Sequence, residues 1–272
     1  MRFRYVSAIF SLEIRKTLSY RVDFWMHFLG SVFIGLLIAF FLWKAIFDYN
    51  QAQTMGGFSF HALMLYYLLI PMTLNIIMPS GSHWIGFISK EIYEGTLNRY
   101  LVYPVSFLNY KIISHFSESF IAVIQLVITF SLYLIIFDLP SDYQISLNGT
   151  LLATVSVLFS ILMYFHLGAC IEMIAFWADN IWSLMVMLRF MITMLGGVFI
   201  PLSFFPESFQ NVLNTLPFPY LVYFPVQTFL GKVSFEIWLN GIAITLFWGV
   251  FFFALSKVMW KMGTKKYTGV GI

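Results

Sequence analysis

Long apolar runs separated by short polar segments are the main pattern along this chain. A helix needs about 20 apolar residues to cross the hydrocarbon core of a bilayer. Several runs are of this order, and they predict six membrane-spanning helices with short connections. The predicted spans cover residues 24–47, 61–80, 113–137, 149–171, 181–200 and 236–257. The pattern therefore predicts an all-α membrane protein.

The N-terminal residues 1–23 are predicted to form an amphipathic helix at the membrane surface. Helical spacing places apolar residues on one face, while basic and hydroxyl residues lie on another. The apolar face comprises Phe3, Val6, Phe10, Ile14 and Leu18, and the polar face Arg4, Ser11, Arg15 and Ser19. The basic residues can also act as an anchor that sets the membrane topology, and the two roles are compatible.

Residues 201–235 keep an apolar character but are divided by five prolines. Proline ends helices because it lacks the amide hydrogen and its ring collides with the preceding turn. The pieces between these prolines are too short to cross a bilayer. We therefore expect short re-entrant helices, packed on the outer side of the bundle between spans five and six.

The composition predicts a single transmembrane domain. Hydrophobic residues form 60% of the 272 positions and charged residues 10%, whereas a soluble domain has about 45–50% apolar and about 25% charged residues. Six spans and their connections use nearly the whole length, so we predict one membrane domain over residues 1–272. An ATPase or sensor domain would have to belong to another chain.

Basic residues predict the orientation, because cytoplasmic segments of membrane proteins are enriched in lysine and arginine. The segment before span one, the segment between spans two and three, and the tail counted from Lys257 at the end of span six together hold 12 of the 15 basic residues. This asymmetry predicts that both termini are cytoplasmic. It also places the loop of residues 82–112 on the cytoplasmic side.

The sequence has no recognisable pattern of catalytic or metal-binding residues. The phosphate-binding pattern Gly-x-x-x-x-Gly-Lys-[Ser/Thr] does not occur, so this chain does not hydrolyse ATP by that route. The five histidines are scattered, and Cys170 is the single cysteine. We therefore predict neither an enzyme nor a metal or cofactor site. Arg189 lies inside the fifth run, where it either has a function or extends its side chain to the interface.

Residues 88–105 form the most informative segment. They are predicted to form a short helix, turn at Gly95, form a second helix and stop before Pro104. Four apolar side chains are expected to be exposed here among charges: Tyr93, Leu97, Tyr100 and Leu101. Such a mixed surface is typical of docking to a soluble partner. An ordinary loop that sets the topology would have the same pattern, and the residue types alone do not decide.

A resemblance to a known family favours docking. One motif resembles the cytosolic loop of type-2 ABC exporter permeases: Glu94-Gly95-Thr96-Leu97, then Leu101 and Pro104-Val105. Later motifs resemble the same family: 196–202 with Phe205-Pro206, 216–220 with Phe224-Pro225, and the tail 263–271. Some members carry a large extracellular domain between spans one and two, and this chain does not. It resembles a subgroup of poorly characterised bacterial permeases without that domain.

The resemblance implies the transmembrane subunit of an ATP-driven exporter in the bacterial inner membrane. Two permeases, identical or different, would pair chiefly through spans one and five, and two ABC ATP-binding subunits would dock beneath them. Those subunits would bind ATP and magnesium, and no nucleic acid is expected as a partner. The loop would provide a coupling helix beside the N-terminal helix. Its predicted coupling surface consists of Glu91, Glu94, Gly95, Thr96, Leu97 and Tyr100.

Two other functions stay open at the level of the sequence. A secondary transporter or channel would need no ATPase partner, but it would need polar groups within the spans, and these are scarce. A membrane scaffold subunit would explain a docking loop without any transport pathway. The spans offer mainly apolar and aromatic walls, so the sequence does not identify a transported substrate.

Overall fold

The computed structural model describes residues 2–19, 21–79, 88–141, 143 and 145–269. These residues are mainly helical. The helices are α1 (Arg2–Ser19), α2 (Arg21–Asn50), α3 (Phe60–Ile77), α4 (Ser89–Tyr93), α5 (Leu97–Leu101), α6 (Phe107–Ile136), α7 (Leu147–Glu172), α8 (Trp182–Leu195), α9 (Glu207–Leu213), α10 (Phe218–Leu221), α11 (Tyr223–Phe229) and α12 (Phe235–Lys266). Short 3-10 turns cover Met173–Phe176 and Leu202–Phe204. Two short strands, β1 (Thr54–Met55) and β2 (Phe58–Ser59), pair antiparallel before α3.

Within the described residues, five helices are long and apolar enough to cross a membrane. They are 32–50 of α2, then α3, α6, α7 with its 3-10 turn, and α12. They correspond to predicted spans one to four and six, which confirms a multi-pass helical membrane protein. α6 and α12 have 30 and 32 residues, which is about 45–48 Å of helix. Because a bilayer core is about 30 Å thick, part of each helix extends beyond it.

Parts of the sequence predictions fall outside the described residues. These are positions 1 and 20 of the N-terminal helix, the side chain of Phe3, residues 80–87 at the end of span two and the start of the loop, and residues 270–271 of the tail.

The fifth predicted span, 181–200, corresponds to a shorter helix. α8 has 14 residues and measures about 21 Å, which is less than the ~30 Å core of a bilayer. It ends at Leu195 because Gly197 adopts a φ of +78°, a left-handed conformation that commonly ends helices. The amide of Val198 then returns to the carbonyl of Thr193 at 3.2 Å. The apolar run thus continues past the helix without remaining helical.

Residues 201–235 form short helices, as the prolines predicted. α9, α10 and α11 have seven, four and seven residues. Pro219 and Pro225 lie in the first turns of α10 and α11, where the missing amide hydrogen breaks no intrahelical bond. Both helices pack against α7, and Ser160 Oγ donates to the Tyr220 carbonyl at 2.7 Å. Their depth in a bilayer stays a prediction.

Two separate hydrophobic cores hold the described helices together. The main core surrounds α3, which packs against α2, α6, α7 and α11 and has fully buried side chains such as Leu63, Tyr66 and Ile70. The second core joins α4 and α5 to the neighbouring ends of α6, α7 and α8. It consists of Ile88, Ile92, Leu97, Phe107, Leu108, Ala169, Met173, Ala175, Phe176, Ile181 and Met185.

The N-terminal segment is helical, as predicted, and only part of its predicted apolar face, Phe10 and Ile14, packs against the protein. α1 packs along α6, where the ring centroids of Phe10 and Phe120 lie 5.7 Å apart. Glu13 is buried against α6, whereas Val6 and Leu18 of the predicted apolar face are exposed. The buried face is therefore set by contacts with α6 as well as by hydrophobicity. The placement of α1 at a membrane surface stays a prediction.

Candidate coupling site

The α4–α5 segment, residues 88–103, has the helix–turn–helix shape predicted from its sequence. α4 ends at Tyr93 and α5 begins at Leu97, with Gly95 between them at a φ of +68°. This left-handed turn explains the glycine, because a Cβ atom makes that conformation costly for other residues. The second helix ends before Pro104, as predicted.

The prediction that Leu97 is exposed is wrong. Its side chain has 0% exposure and lies in the second core with Phe107. Fully burying a leucine stabilises a fold by about 1.5–3 kcal/mol relative to leaving it in water. Leu97 therefore anchors the segment to the bundle and is not available to a partner chain. Tyr93 and Tyr100 are half-buried, and Leu101 is exposed as predicted.

Glu91 lies inward and holds the two short helices together. Its carboxylate accepts hydrogen bonds from Thr96 Oγ1 at 2.5 Å and from the Tyr100 hydroxyl at 3.1 Å. Lys111 Nζ on α6 lies 3.1 Å from one carboxylate oxygen, and Arg99 Nη2 lies 3.9 Å from the other. Glu91, Thr96 and Tyr100 of the predicted surface are thus brought together, and they bond to one another.

This environment keeps Glu91 ionised. Burial raises the pKa of the Glu91 carboxyl, but the hydrogen bond from Thr96 and the charge of Lys111 more than offset it, so the pKa lies below its ordinary value. Burial and the adjacent Glu91 charge raise the pKa of the Tyr100 hydroxyl. Glu91 is therefore a charged acceptor and Tyr100 a neutral donor, which are the states that the hydrogen bond between them requires.

α1 lies beside the α4–α5 segment, as the resemblance implied. The Tyr110 hydroxyl of α6 donates to Oε1 of Glu13 at 2.9 Å, and the Tyr110 ring lies 5.3 Å from the Tyr100 ring. A cavity of about 180 Å³ between α1, α4, α5 and α6 is lined by charged side chains of both signs, including Lys16 and Glu118. Tyr110 of α6 therefore lies between α1 and the α4–α5 segment and contacts both.

The end of α12 and the tail close over the second core. Gly263 faces Phe176 so closely that a Cβ atom would overlap the ring. Beyond the helix, the Asn98 side-chain amide of α5 donates to the Gly269 carbonyl at 3.1 Å. Sequence reasoning identified this tail only as a motif and missed its packing role. The glycines were the available signal, because close backbone approach requires them.

A second contact missed by sequence reasoning comes from the end of α7. Glu172 is buried, and its carboxylate accepts the backbone amide hydrogens of Ile88 and Ser89, the latter at 3.0 Å. The sequence signal was an acidic residue at the end of an apolar run, with no basic residue nearby. Burying an uncompensated charge is costly, so such a carboxylate is expected to find hydrogen-bond donors.

The exposed face of the segment differs in part from the predicted coupling surface. Glu94 is exposed, as predicted, and Gly95 beside it is half-buried. The apolar part of the face follows from the end of α5, where Leu101, Val102 and Tyr103 are 49%, 81% and 50% exposed. These apolar residues, together with charged side chains such as Glu94, are groups that a partner chain could contact.

The chemistry of the site is that of a contact surface. Among the residues that the structure describes, no three His, Cys, Asp or Glu side chains converge as metal ligands. The charged groups of the site form ion pairs and hydrogen bonds between helices. Arg189 of the fifth predicted span is half-buried within α8, and the two roles considered for it both stay open.

The comparison with known families agrees with the motifs and with the helical fold. Residues 33–271 match the model of a family described as ABC-2 family transporter protein, and the match includes the α4–α5 segment and the described tail. Neither a curated protein nor a solved structure matches the chain at a significant level. The chain therefore belongs to the ABC-2 transporter family and is a multi-pass membrane permease.

Proposed function

We propose that this permease is the transmembrane subunit of an ATP-driven exporter and that the α4–α5 segment couples it to ABC ATP-binding subunits. Permeases of this family generally work with ATP-binding subunits. The observation that supports the proposal most is a segment that has its own core and exposes apolar side chains beyond it. ATP and magnesium would bind to the partner subunits, two of which would serve a pair of permeases.

The exposed face is suited to a protein contact. Val102 and Tyr103 provide apolar and aromatic area, and interfaces commonly surround such groups with a polar rim. The side chains of Lys90, Glu94 and Arg99 are each more than half exposed in the same segment. Charged groups of this kind need water or a polar partner, which favours a soluble subunit over lipid as the neighbour.

Coupling would operate through rigid packing. Closure of the ATP-binding subunits would displace the exposed face, and Leu97 would carry the displacement into the second core. Close-packed cores have low compressibility and therefore move as units. The ion pair of Glu91 with Lys111 would carry the displacement to α6, and the contact of Tyr110 with Glu13 would carry it to α1.

The same arrangement supports a cytoplasmic location for both termini in an inner membrane. α1, the α4–α5 segment and the end of α12 lie around α6 and the second core, and these parts are rich in basic residues. In this orientation α8 with residues 196–200 would be the fifth of six crossings along the chain, and α9 to α11 would be re-entrant from the outside. A second permease, identical or related, would complete the dimer.

A matched pair of variants tests the docking surface. We expect the tagged wild-type permease, purified gently from its own host, to carry an ATP-hydrolysing subunit with a phosphate-binding loop. Val102→Asp should release that subunit, because it places a charge on the apolar face. Tyr49→Asp is the control, since Tyr49 is also exposed but lies beside Asp48 at the end of α2. It should retain the subunit.

Three outcomes would contradict the proposal. A wild-type permease that purifies alone, without ATP hydrolysis in several mild detergents, would favour a secondary transporter or channel. Recovery of a non-ATPase partner alone would favour a scaffold subunit. If Val102→Asp and Tyr49→Asp both keep an ATPase subunit at wild-type levels, docking occurs on another surface.

A further inference from the structure

The first turn of α4 is held by a side chain from a distant membrane helix. Glu172 is the last residue of α7, and only 5% of it is exposed. Its Oε2 atom accepts the amide hydrogens of both Ile88 and Ser89. The Ser89 residue is 83 positions away in sequence, so this contact exists only in the folded bundle.

The contact satisfies two demands at once. The first amide hydrogens of a helix have no acceptor within the helix, and a buried carboxylate needs donors. Hydrogen bonds to a charged acceptor are shorter and roughly twice as strong as neutral ones. The apolar neighbours of this contact, Ile88, Ile92 and Met173, are at most 1% exposed, so the contact lies at the edge of the second core.

α7 in turn makes polar contacts with α12 at several points along its length. Trp238 Nε1 donates to Ser156 Oγ at 3.0 Å, and His166 Nδ1 lies 3.0 Å from Ser256 Oγ. Closer to Glu172, the Cys170 Sγ donates to the α12 backbone at 3.6 Å. Contacts spaced along two packed helices favour their movement as one body.

We propose that Glu172 is the positioning residue through which displacement of α4 reaches the α7–α12 pair. The proposal rests on the proposed function, because the displacement comes from the ATP-binding subunits. It differs from coupling through α6 alone, in which Glu91 and Lys111 would move the α6 side of the bundle. The α7–α12 pair would then follow only indirectly.

The contact itself can be tested on the purified permease without any partner. Hydrogen–deuterium exchange of the peptide that covers α4 should accelerate in Glu172→Ala, by roughly ten-fold or more at Ile88 and Ser89, because a buried charge-assisted hydrogen bond is lost. Glu172→Gln keeps an acceptor and should give a smaller change. Glu236→Ala, at an exposed position in the first turn of α12, is the control and should leave this peptide unchanged. Unchanged exchange in Glu172→Ala would overturn the contact.

The transmission is tested with Cys170, which is the single cysteine of the chain and lies at the α7–α12 contact. In the complex with its ATPase subunit, the rate of Cys170 modification by N-ethylmaleimide should change when a non-hydrolysable ATP analogue is added. Glu172→Gln should keep the subunit bound but reduce this nucleotide-dependent change. Glu236→Ala should retain it.

The outcomes separate the two proposals. If no ATPase subunit is recovered with the wild type, the proposed function fails and the exchange experiment still decides the contact. If the subunit is bound but Cys170 reacts at the same rate with and without nucleotide, transmission to α7 is overturned. A full nucleotide response in Glu172→Gln and in a Glu172→Ala complex that retains its subunit would overturn the role of Glu172 in the same way.

Discussion

Lys111 Nζ on α6 lies 3.1 Å from Glu91 Oε1 on α4, and the two side chains are only 9% and 13% exposed. The pair is a direct ionic link between the α4–α5 segment and a membrane helix. Because both charges are largely removed from water, each depends on the other for compensation. Removing one partner should therefore cost more than removing both.

Lys111→Met should destabilise the permease by about 3 kcal/mol, because Glu91 would stay buried without its nearest cationic partner and only the more distant Arg99 would be left. The double variant Lys111→Met with Glu91→Gln should recover part of this loss, since neither charge is then unpaired. Thermal unfolding in detergent, followed by tryptophan fluorescence, measures both effects. A single variant as stable as the wild type would contradict the prediction, and so would a double variant no better than the single one.

The contribution of Glu91 to stability should disappear only in acid. Its pKa in the folded protein lies below the ordinary value of 4.5, so the contribution is present above that value and is lost as the pH falls through the folded-state pKa. The difference in melting temperature between the wild type and Glu91→Gln should stay constant from about pH 8 to 5 and shrink below about pH 4. A difference that already shrinks near neutral pH would mean that the pKa is raised instead.

Gly95→Val should uncouple the ATPase subunit from the membrane helices while leaving the permease in the membrane. Valine at a left-handed turn costs about 1–2 kcal/mol, so α5 should shift relative to α4. Gly57→Val is the matched control, because Gly57 has a φ of +82° with open space around it and lies next to β2. ATP hydrolysis and the nucleotide-dependent reactivity of Cys170 measure coupling. Normal transport and coupling in Gly95→Val, equal to those in Gly57→Val, would refute the assignment.

Gly263→Ala should loosen the end of α12 from the second core. A Cβ atom at Gly263 would overlap the Phe176 ring, and overpacking of this kind costs about 1–3 kcal/mol. Gly249→Ala, on the same helix, is the control, because its Cβ would make an ordinary contact at 3.9 Å from Met163. That variant should be neutral or more stable, since alanine favours helix over glycine. Equal melting temperatures for the two variants would contradict the prediction.

The long helices could be predicted because the bilayer itself fixes the length of an apolar run. The same rule predicted a fifth span that is longer than α8. The apolar run continues to Ile200, but the helix ends at Leu195 because Gly197 turns the backbone. The turn at Gly95 was predictable because glycine is the residue that such a turn favours. Each of these features depends on residues that are neighbours in the sequence, so a local sequence pattern can predict it.

The packing of the α4–α5 segment was not predictable in the same way. Leu97 was expected at the surface, because nothing local indicates that it belongs to one core with Phe107 and Phe176. The hydrogen bonds from the Ile88 and Ser89 amides to the Glu172 carboxylate join positions more than 80 residues apart in the sequence. Contacts of this separation depend on how the helices assemble, and a single sequence without covariation does not specify them.

The second core also has a consequence for biogenesis. The Trp260 ring of α12 stacks on Phe107 with centroids 5.2 Å apart, and Tyr267 packs against the same cluster. Because these residues are synthesised after α1 to α11, the α4–α5 segment gains this support only when α12 has inserted. The emerging chain should therefore present an incompletely packed form of the proposed docking face until α12 is in place. Assembly with the proposed soluble subunit would then be timed by the insertion of α12.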